Sequence, residues 1–106
     1  MVTIEDFAKL ELKVAQVLEA KAHPNADRLL VLLVDTGSEK KEIVAGISPH
    51  YAPAELVGKK VVVVNNMQPA VLRGVTSYGM ILAAKDGEAL SLIAPERPVA
   101  AGSVVR

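Results

Sequence analysis

Residues 60–84, KVVVVNNMQPAVLRGVTSYGMILAA, contain two apolar strands separated by an arginine-bearing turn, and the way they join decides the fold. Residues 60–65 are strongly β-branched, which suits a pleated, half-buried strand. Residues 79–84, GMILAA, read as the strand that follows. Between them Arg73-Gly74 marks a turn, and Ser77-Tyr78-Gly79-Met80 leads into the second strand. These two strands need partners, and the sequence upstream supplies three.

Residues 12–19 alternate, with Leu12, Val14, Gln16 and Leu18 on one side and Lys13, Ala15, Val17 and Glu19 on the other. Both sides are rich in apolar residues. That suits a barrel strand with one face inside and part of the other covered. His23-Pro24-Asn25-Ala26-Asp27 is a turn by its proline and Asx residues. Residues 28–36 form a second strand, Thr36-Gly37-Ser38 a hairpin turn, and residues 41–46 a third strand. Short connections make these three an antiparallel meander. Residues 47–56 break the pattern. Pro49 and Pro53 each fit a helix start, and Ala54-Glu55-Leu56 fits a single turn ending near Gly58. Three meandering strands, a small helical connection and two more strands give an all-β, five-stranded OB-fold barrel with short helices. The chain reads as one domain, residues 1–106. Asp86-Gly87 signals another turn and residues 89–93 a sixth short strand. This C-terminal extension, residues 86–106, exceeds the minimal barrel and packs on it or on a second subunit. At the other end Thr3 caps a short helix, with Asp6 completing a capping-box pattern. Its apolar residues Ile4, Phe7 and Leu10 share one face, as core or as a dimer contact.

Composition narrows the function. The chain has 106 residues, 51% of them apolar but only 3% aromatic, so Val, Leu, Ala and Ile must fill the core. Twelve Lys and Arg balance twelve Asp and Glu, which argues against a strongly electropositive binder and leaves room for a local patch. Without cysteine there is no disulfide or thiolate metal site, and two histidines are too few for a zinc site. No cofactor is expected. Residues 1–10 lack a basic start followed by an apolar core, and the longest apolar runs, such as residues 29–34, are too short to span a bilayer. The expectation is a cytoplasmic domain without a membrane partner.

Ser77, Tyr78 and Met80 offer a hydroxyl, an aromatic face and a thioether together, chemistry that suits an unstacked nucleotide. The plainer alternative is the start of a strand, with Gly79 relieving a bend at the barrel rim and Met80 in the core. Arg73 is either a phosphate or stacking contact or a solvated arginine. The pairs Lys40-Lys41 and Lys59-Lys60 are solvated strand ends or phosphate contacts. Asn66 stabilises the turn before Pro69 or joins the site. His23 with Asp27 invites an acid–base reading, but no serine is evidently placed with them. His50-Tyr51 reads as loop packing. No nucleophile–base pair or metal cluster is evident, so the function read here is binding.

The chain resembles the tRNA-binding domain family, found as a free-standing structure-specific tRNA-binding protein and at the C-terminus of bacterial methionyl-tRNA synthetase. The resemblance runs through His23-Pro24-Asn25-Ala26-Asp27-Arg28-Leu29, Val34-Asp35-Thr36-Gly37, Ile43-Val44-Ala45-Gly46-Ile47, Asn66-Met67-Gln68-Pro69 and the segment from Arg73 to Ala84. It implies an OB-fold, a homodimer, recognition of tRNA by shape and no enzymatic activity of the domain itself. Carried over residue by residue, it implies an RNA-binding set of Lys41, Asn66, Arg73, Ser77, Tyr78, Gly79 and Met80. Gln68 stands where the family usually has lysine, removing one phosphate contact. Tyr78 stands where Gln, Glu or Asn is common, and can add stacking. Three alternatives remain: an appendix lending tRNA affinity and dimerisation to a methionyl-tRNA synthetase catalytic body, a protein-binding dimer of the related secretion-chaperone family, and, most remote, a small-molecule-binding barrel.

Overall fold

The computed structural model describes residues Met1–Arg106. It opens with a short helix, α1 (Ile4–Ala8). The Thr3 hydroxyl accepts from the Asp6 N–H at 3.1 Å, and the Asp6 carboxylate accepts from the Thr3 N–H at 3.2 Å. This is the reciprocal box that the sequence implies. No residue of α1 is buried, so Ile4, Phe7 and Leu10 are not core, and Ile4 is 85% exposed.

Three strands follow: β1 (Leu12–Ala22), β2 (Leu30–Asp35) and β3 (Lys40–Ala45). They form the expected antiparallel meander, with Gln16 opposite Asp35 and Leu32 opposite Ile43. A bulge at Leu18 shifts the β1–β2 register between Val17 and Glu19, increasing the local twist that a closing sheet needs. The helix α2 (Pro53–Leu56) begins at Pro53. Pro49 starts no helix, because the residues after it turn at once: the N–H groups of His50 and Tyr51 both donate to the Ile47 carbonyl. Strand β4 (Lys60–Val64) returns to β1, pairing from Leu12↔Val64 to Gln16↔Lys60.

The next stretch departs from the sequence reading. Residues 70–77 are themselves a hairpin, β5 (Ala70–Leu72) and β6 (Val75–Ser77), with Arg73-Gly74 at its tip. Every β5 residue is exposed, so no burial alternation betrays it. The strand expected over residues 79–84 is only β7 (Met80–Ile81), pairing Val63 with Ile81. It breaks at Leu82, whose N–H donates to the Val62 carbonyl and whose carbonyl accepts from the Ile93 N–H. Beyond the break, β8 (Ala83–Asp86) and β9 (Ala89–Leu92) form a separate hairpin about the Asp86-Gly87 turn.

The main sheet runs β3-β2-β1-β4-β7. It closes where residues 77–79 come back against β3, with the Tyr78 N–H donating to the Glu42 carbonyl at 2.9 Å. This is the five-stranded OB barrel. Its interior is aliphatic: Leu30, Leu32, Val34, Ile43, Val61 and Val63 meet there, and Leu56 from α2 plugs one end. Each such side chain contributes about 1.5–3 kcal/mol on burial.

The extension packs on the barrel. A last short strand, β10 (Val104–Val105), pairs with the start of β1 at Leu12↔Val105, beyond the reach of β2. Just before it, the Gly102 N–H donates to the Val14 carbonyl and the Val14 N–H donates to the Ser103 carbonyl. Gly102 has φ +93°, and a Cβ there would stand 2.9 Å from the Thr36 carbonyl oxygen and 3.0 Å from the Gly37 Cα. A second small core of Leu12, Val62 and Val64 lies under Leu82 and Val105.

Candidate nucleic-acid interface

A strict alternation runs through residues 77–81. Ser77, Gly79 and Ile81 are buried, whereas Tyr78 and Met80 are each 46% exposed. The alternation runs from the end of β6 through a bend at Gly79 into β7. Tyr78 and Met80 therefore present the aromatic face and the thioether to solvent. The Ser77 hydroxyl is engaged inside: it donates to the Gly79 carbonyl and accepts from the Val44 N–H, both at 2.9 Å. Gly79 permits barrel closure, because a Cβ there would meet the Ile43 side chain at 3.1 Å and the Val64 carbonyl oxygen at 3.2 Å.

Arg73 occupies the tip of the β5–β6 hairpin. Leu72 pairs with Val75, leaving a two-residue loop in which both residues have positive φ, +53° at Arg73 and +92° at Gly74. This is the turn whose twist matches a two-stranded hairpin, although its first position favours Asn, Asp or Gly. The Arg73 guanidinium donates to the Asn25 carbonyl at 3.2 Å. His23 makes a second tie. Its Nδ1 accepts from the Asn25 N–H, so the proton lies on Nε2, which donates to the Leu72 carbonyl; both bonds are 2.9 Å. His23 is buried and thus serves as a clasp between the 23–27 turn and the hairpin, with both ring nitrogens engaged.

Two further residues of the expected set are also engaged. Lys41 lies opposite the fully buried Val34, on the inward side of β3. Its ammonium donates to the Asn65 carbonyl at 2.7 Å and lies 3.5 Å from the Glu39 carboxylate. The Asn66 amide accepts from the Glu11 N–H at 2.8 Å and donates to the Lys9 carbonyl at 2.7 Å, tying the α1–β1 link to the chain after β4. Glu11 beside it is held below the ordinary carboxylate range, first by the hydrogen bond from the Asn65 amide and then by that from Lys13. Of the other lysines, Lys60 donates to the Val99 carbonyl, and Lys59 lies over the Tyr51 ring and reaches Glu55. The Tyr51 hydroxyl accepts from the Leu92 N–H, the loop packing read from the sequence.

The outward faces of β1, β2 and β3 make a shallow groove. A cavity of about 440 Å³ is lined by Leu33, Lys40, Glu42 and Tyr78 among others. Leu33 and Glu42 are shared with a second cavity of about 240 Å³ that reaches Glu19 and Lys21. Beyond Tyr78, a third of about 190 Å³ lies between Val44 and the β5–β6 hairpin, edged by Met67, Gln68, Leu72 and Met80. Lys40 is exposed and pairs with no carboxylate. Glu42 and Leu33 escaped the sequence reading, and Lys40 entered it only as half of the Lys40-Lys41 pair. The alternation Lys40-Glu42-Val44 against Lys41-Ile43-Ala45 was the available signal. No three His, Asp or Glu side chains converge as a metal site, and no helix is long and apolar enough to cross a membrane.

A family model described as "putative tRNA binding domain" matches residues 12–104. The methionine–tRNA ligase of Methanococcus aeolicus is 53% identical over 105 residues, covering 99% of this chain and 16% of that protein. That of Thermotoga maritima is 51% identical, covering 98% of this chain and again 16% of the ligase. The chain thus spans about one sixth of the length of these curated relatives. Among solved structures, a MetRS-related protein from Pyrococcus horikoshii superposes with a TM-score of 0.93 at 34% identity, covering 100% of this chain and 98% of that one. The chaperone CsaA from Bacillus anthracis gives 0.90 at 27% identity, covering 100% and 99%.

Proposed function

Since the chain belongs to the family of putative tRNA-binding domains, we propose that it binds tRNA by shape, without catalysis, through the groove beside Tyr78. The observation that carries this reading is the pair of exposed side chains, Tyr78 and Met80, set where the barrel closes and each bordering a cavity. Tyr78 and Met80 stack against splayed bases, and Arg73 holds a phosphate. Ser77, Gly79, Asn66 and Lys41 keep that surface in place through their internal contacts. With a balanced net charge, few phosphates are neutralised and the salt dependence of binding is shallow.

The test is a salt titration of binding to total tRNA and to duplex DNA. Binding that prefers tRNA, with Tyr78→Ala weakening it by about 1–3 kcal/mol and Arg73→Ala flattening the salt slope by about one unit, supports the reading. Equal binding of both polymers sinks it.

Ile4 and Phe7 of α1, Leu10 after it and Val104 of β10 leave apolar side chains exposed. This apolar surface supports a symmetric homodimer presenting two grooves. The domain works in the cytoplasm, where it lends tRNA affinity to a methionyl-tRNA synthetase catalytic body. The likeness to a chaperone favours a second reading, protein binding in the same groove. Retention of unfolded polypeptide but not tRNA would select it.

A further inference from the structure

The groove beside Tyr78 carries a row of two carboxylates, Glu19 and Glu42, flanked by Lys21, Lys40 and Lys41. The register places Glu19 opposite Leu33 and Leu33 opposite Glu42, so the three residues cross β1, β2 and β3 in one line. They lie on the outward side, and both carboxylates are exposed. Glu42 and Leu33 line the 440 Å³ cavity together with Lys40 and Tyr78, and Glu39 and Lys41, paired with each other, complete its wall. Lys40 and Glu42 are two residues apart on β3 and so share one face. The hydrogen bond from the Tyr78 N–H to the Glu42 carbonyl fixes the aromatic residue beside the carboxylate.

A phosphodiester seated between Leu33 and Tyr78 would meet the Glu42 carboxylate. A flat ring with N–H donors on its edge suits the cavity instead. The Tyr78 ring and the Leu33 side chain supply apolar surface for its faces, and an ionised carboxylate is an acceptor with two oxygens and no donor. The four bases differ in what they offer such a group. Guanine presents two adjacent donors, N1–H and the 2-amino group, matching both oxygens. Adenine and cytosine each set one amino donor beside a ring-nitrogen acceptor that a carboxylate repels. Uracil sets one N–H between two carbonyl oxygens. Beside its two donors guanine carries the O6 acceptor, which the Lys40 ammonium can meet.

We propose that the Leu33–Lys40–Glu42–Tyr78 cavity is a subsite for an unpaired guanine, read by Glu42 and stacked on Tyr78. This rests on the RNA-binding reading and deepens it. Phosphates then lie outside the acidic row, toward Arg73.

The test uses the full chain and short single-stranded RNAs that are uridine throughout except for one central guanosine, inosine, adenosine or uridine. Inosine differs from guanosine by lacking the 2-amino group. Guanosine is expected to bind about tenfold more tightly than inosine or uridine. Glu42→Gln removes that preference, because the amide sets a donor against one guanine N–H, and it leaves the melting temperature unchanged at this exposed position. Tyr78→Leu weakens all four RNAs alike. If wild-type protein binds the four RNAs equally, or Glu42→Gln keeps the preference for guanosine, the subsite assignment is overturned while tRNA binding stands. If wild-type protein retains neither tRNA nor any of the RNAs, the RNA-binding reading falls and takes the subsite with it.

Discussion

Ser77→Ala separates a hydroxyl that touches a ligand from one that holds the barrel shut. The residue is 4% exposed, and its oxygen joins two backbone groups on different elements, Val44 N–H on β3 and the Gly79 carbonyl. Alanine removes both bonds at the edge of the 190 Å³ cavity that Ser77 and Val44 line. Leaving a buried donor unpaired costs about 1–3 kcal/mol. For a domain of this size that lowers the melting temperature by roughly 4 °C per kcal/mol. The assay pairs thermal unfolding with tRNA affinity measured well below the transition. The structural reading expects a melting temperature lower by roughly 4–12 °C and an affinity within about threefold of wild type. An unchanged melting temperature with a tenfold loss of affinity would refute it and make the hydroxyl a direct contact.

Gly102→Ala forces a side chain into the Thr36 carbonyl at a positive φ; urea unfolding should register a loss of at least about 1–2 kcal/mol, and the Val14 amide should exchange faster. Gly58→Ala has the same φ problem but open space around the added carbon, so it should cost less, and the reverse order would contradict the close-contact account. Glu11 titrates below the ordinary range, so it adds stability above its unfolded value that disappears as pH falls through the folded one. A carboxyl titration by NMR should show this, and Asn65→Ala should move the midpoint upward. Phe7→Glu should turn the proposed dimer into a folded monomer by sedimentation velocity, and an unchanged sedimentation coefficient would clear α1 of that role.

The meander, β4 and the OB order were legible because β-branched runs, Pro/Gly punctuation and short connections agree there. The β5–β6 hairpin was not, because its strands are three residues each and β5 is exposed throughout, too short a stretch to leave a periodic trace. The strand over residues 79–84 misled because GMILAA is apolar throughout and carries no sign that Leu82 changes partners. For the site, residue types were visible but directions were not used. Tyr78 and Met80 lie on the open side, as the alternation through Ile81 requires. Lys41 came from a family position; it and Lys40 both line the cavity beside Tyr78, with Lys41 tied to Asn65 and Glu39 and Lys40 exposed. The double engagement of Asn66 joins residues more than fifty positions apart, beyond the reach of local pattern.

The pairing of Leu12 with Val105 has a consequence for the order of assembly. Loop-closure entropy grows with the length of chain enclosed, and this contact encloses nearly all of it. Every strand of the barrel wall lies between residues 12 and 81. A nascent chain can therefore complete its wall while the tail is still being made, and the final strand arrives as a latch on a finished shell. Severing that latch should quicken unfolding far more than it slows folding.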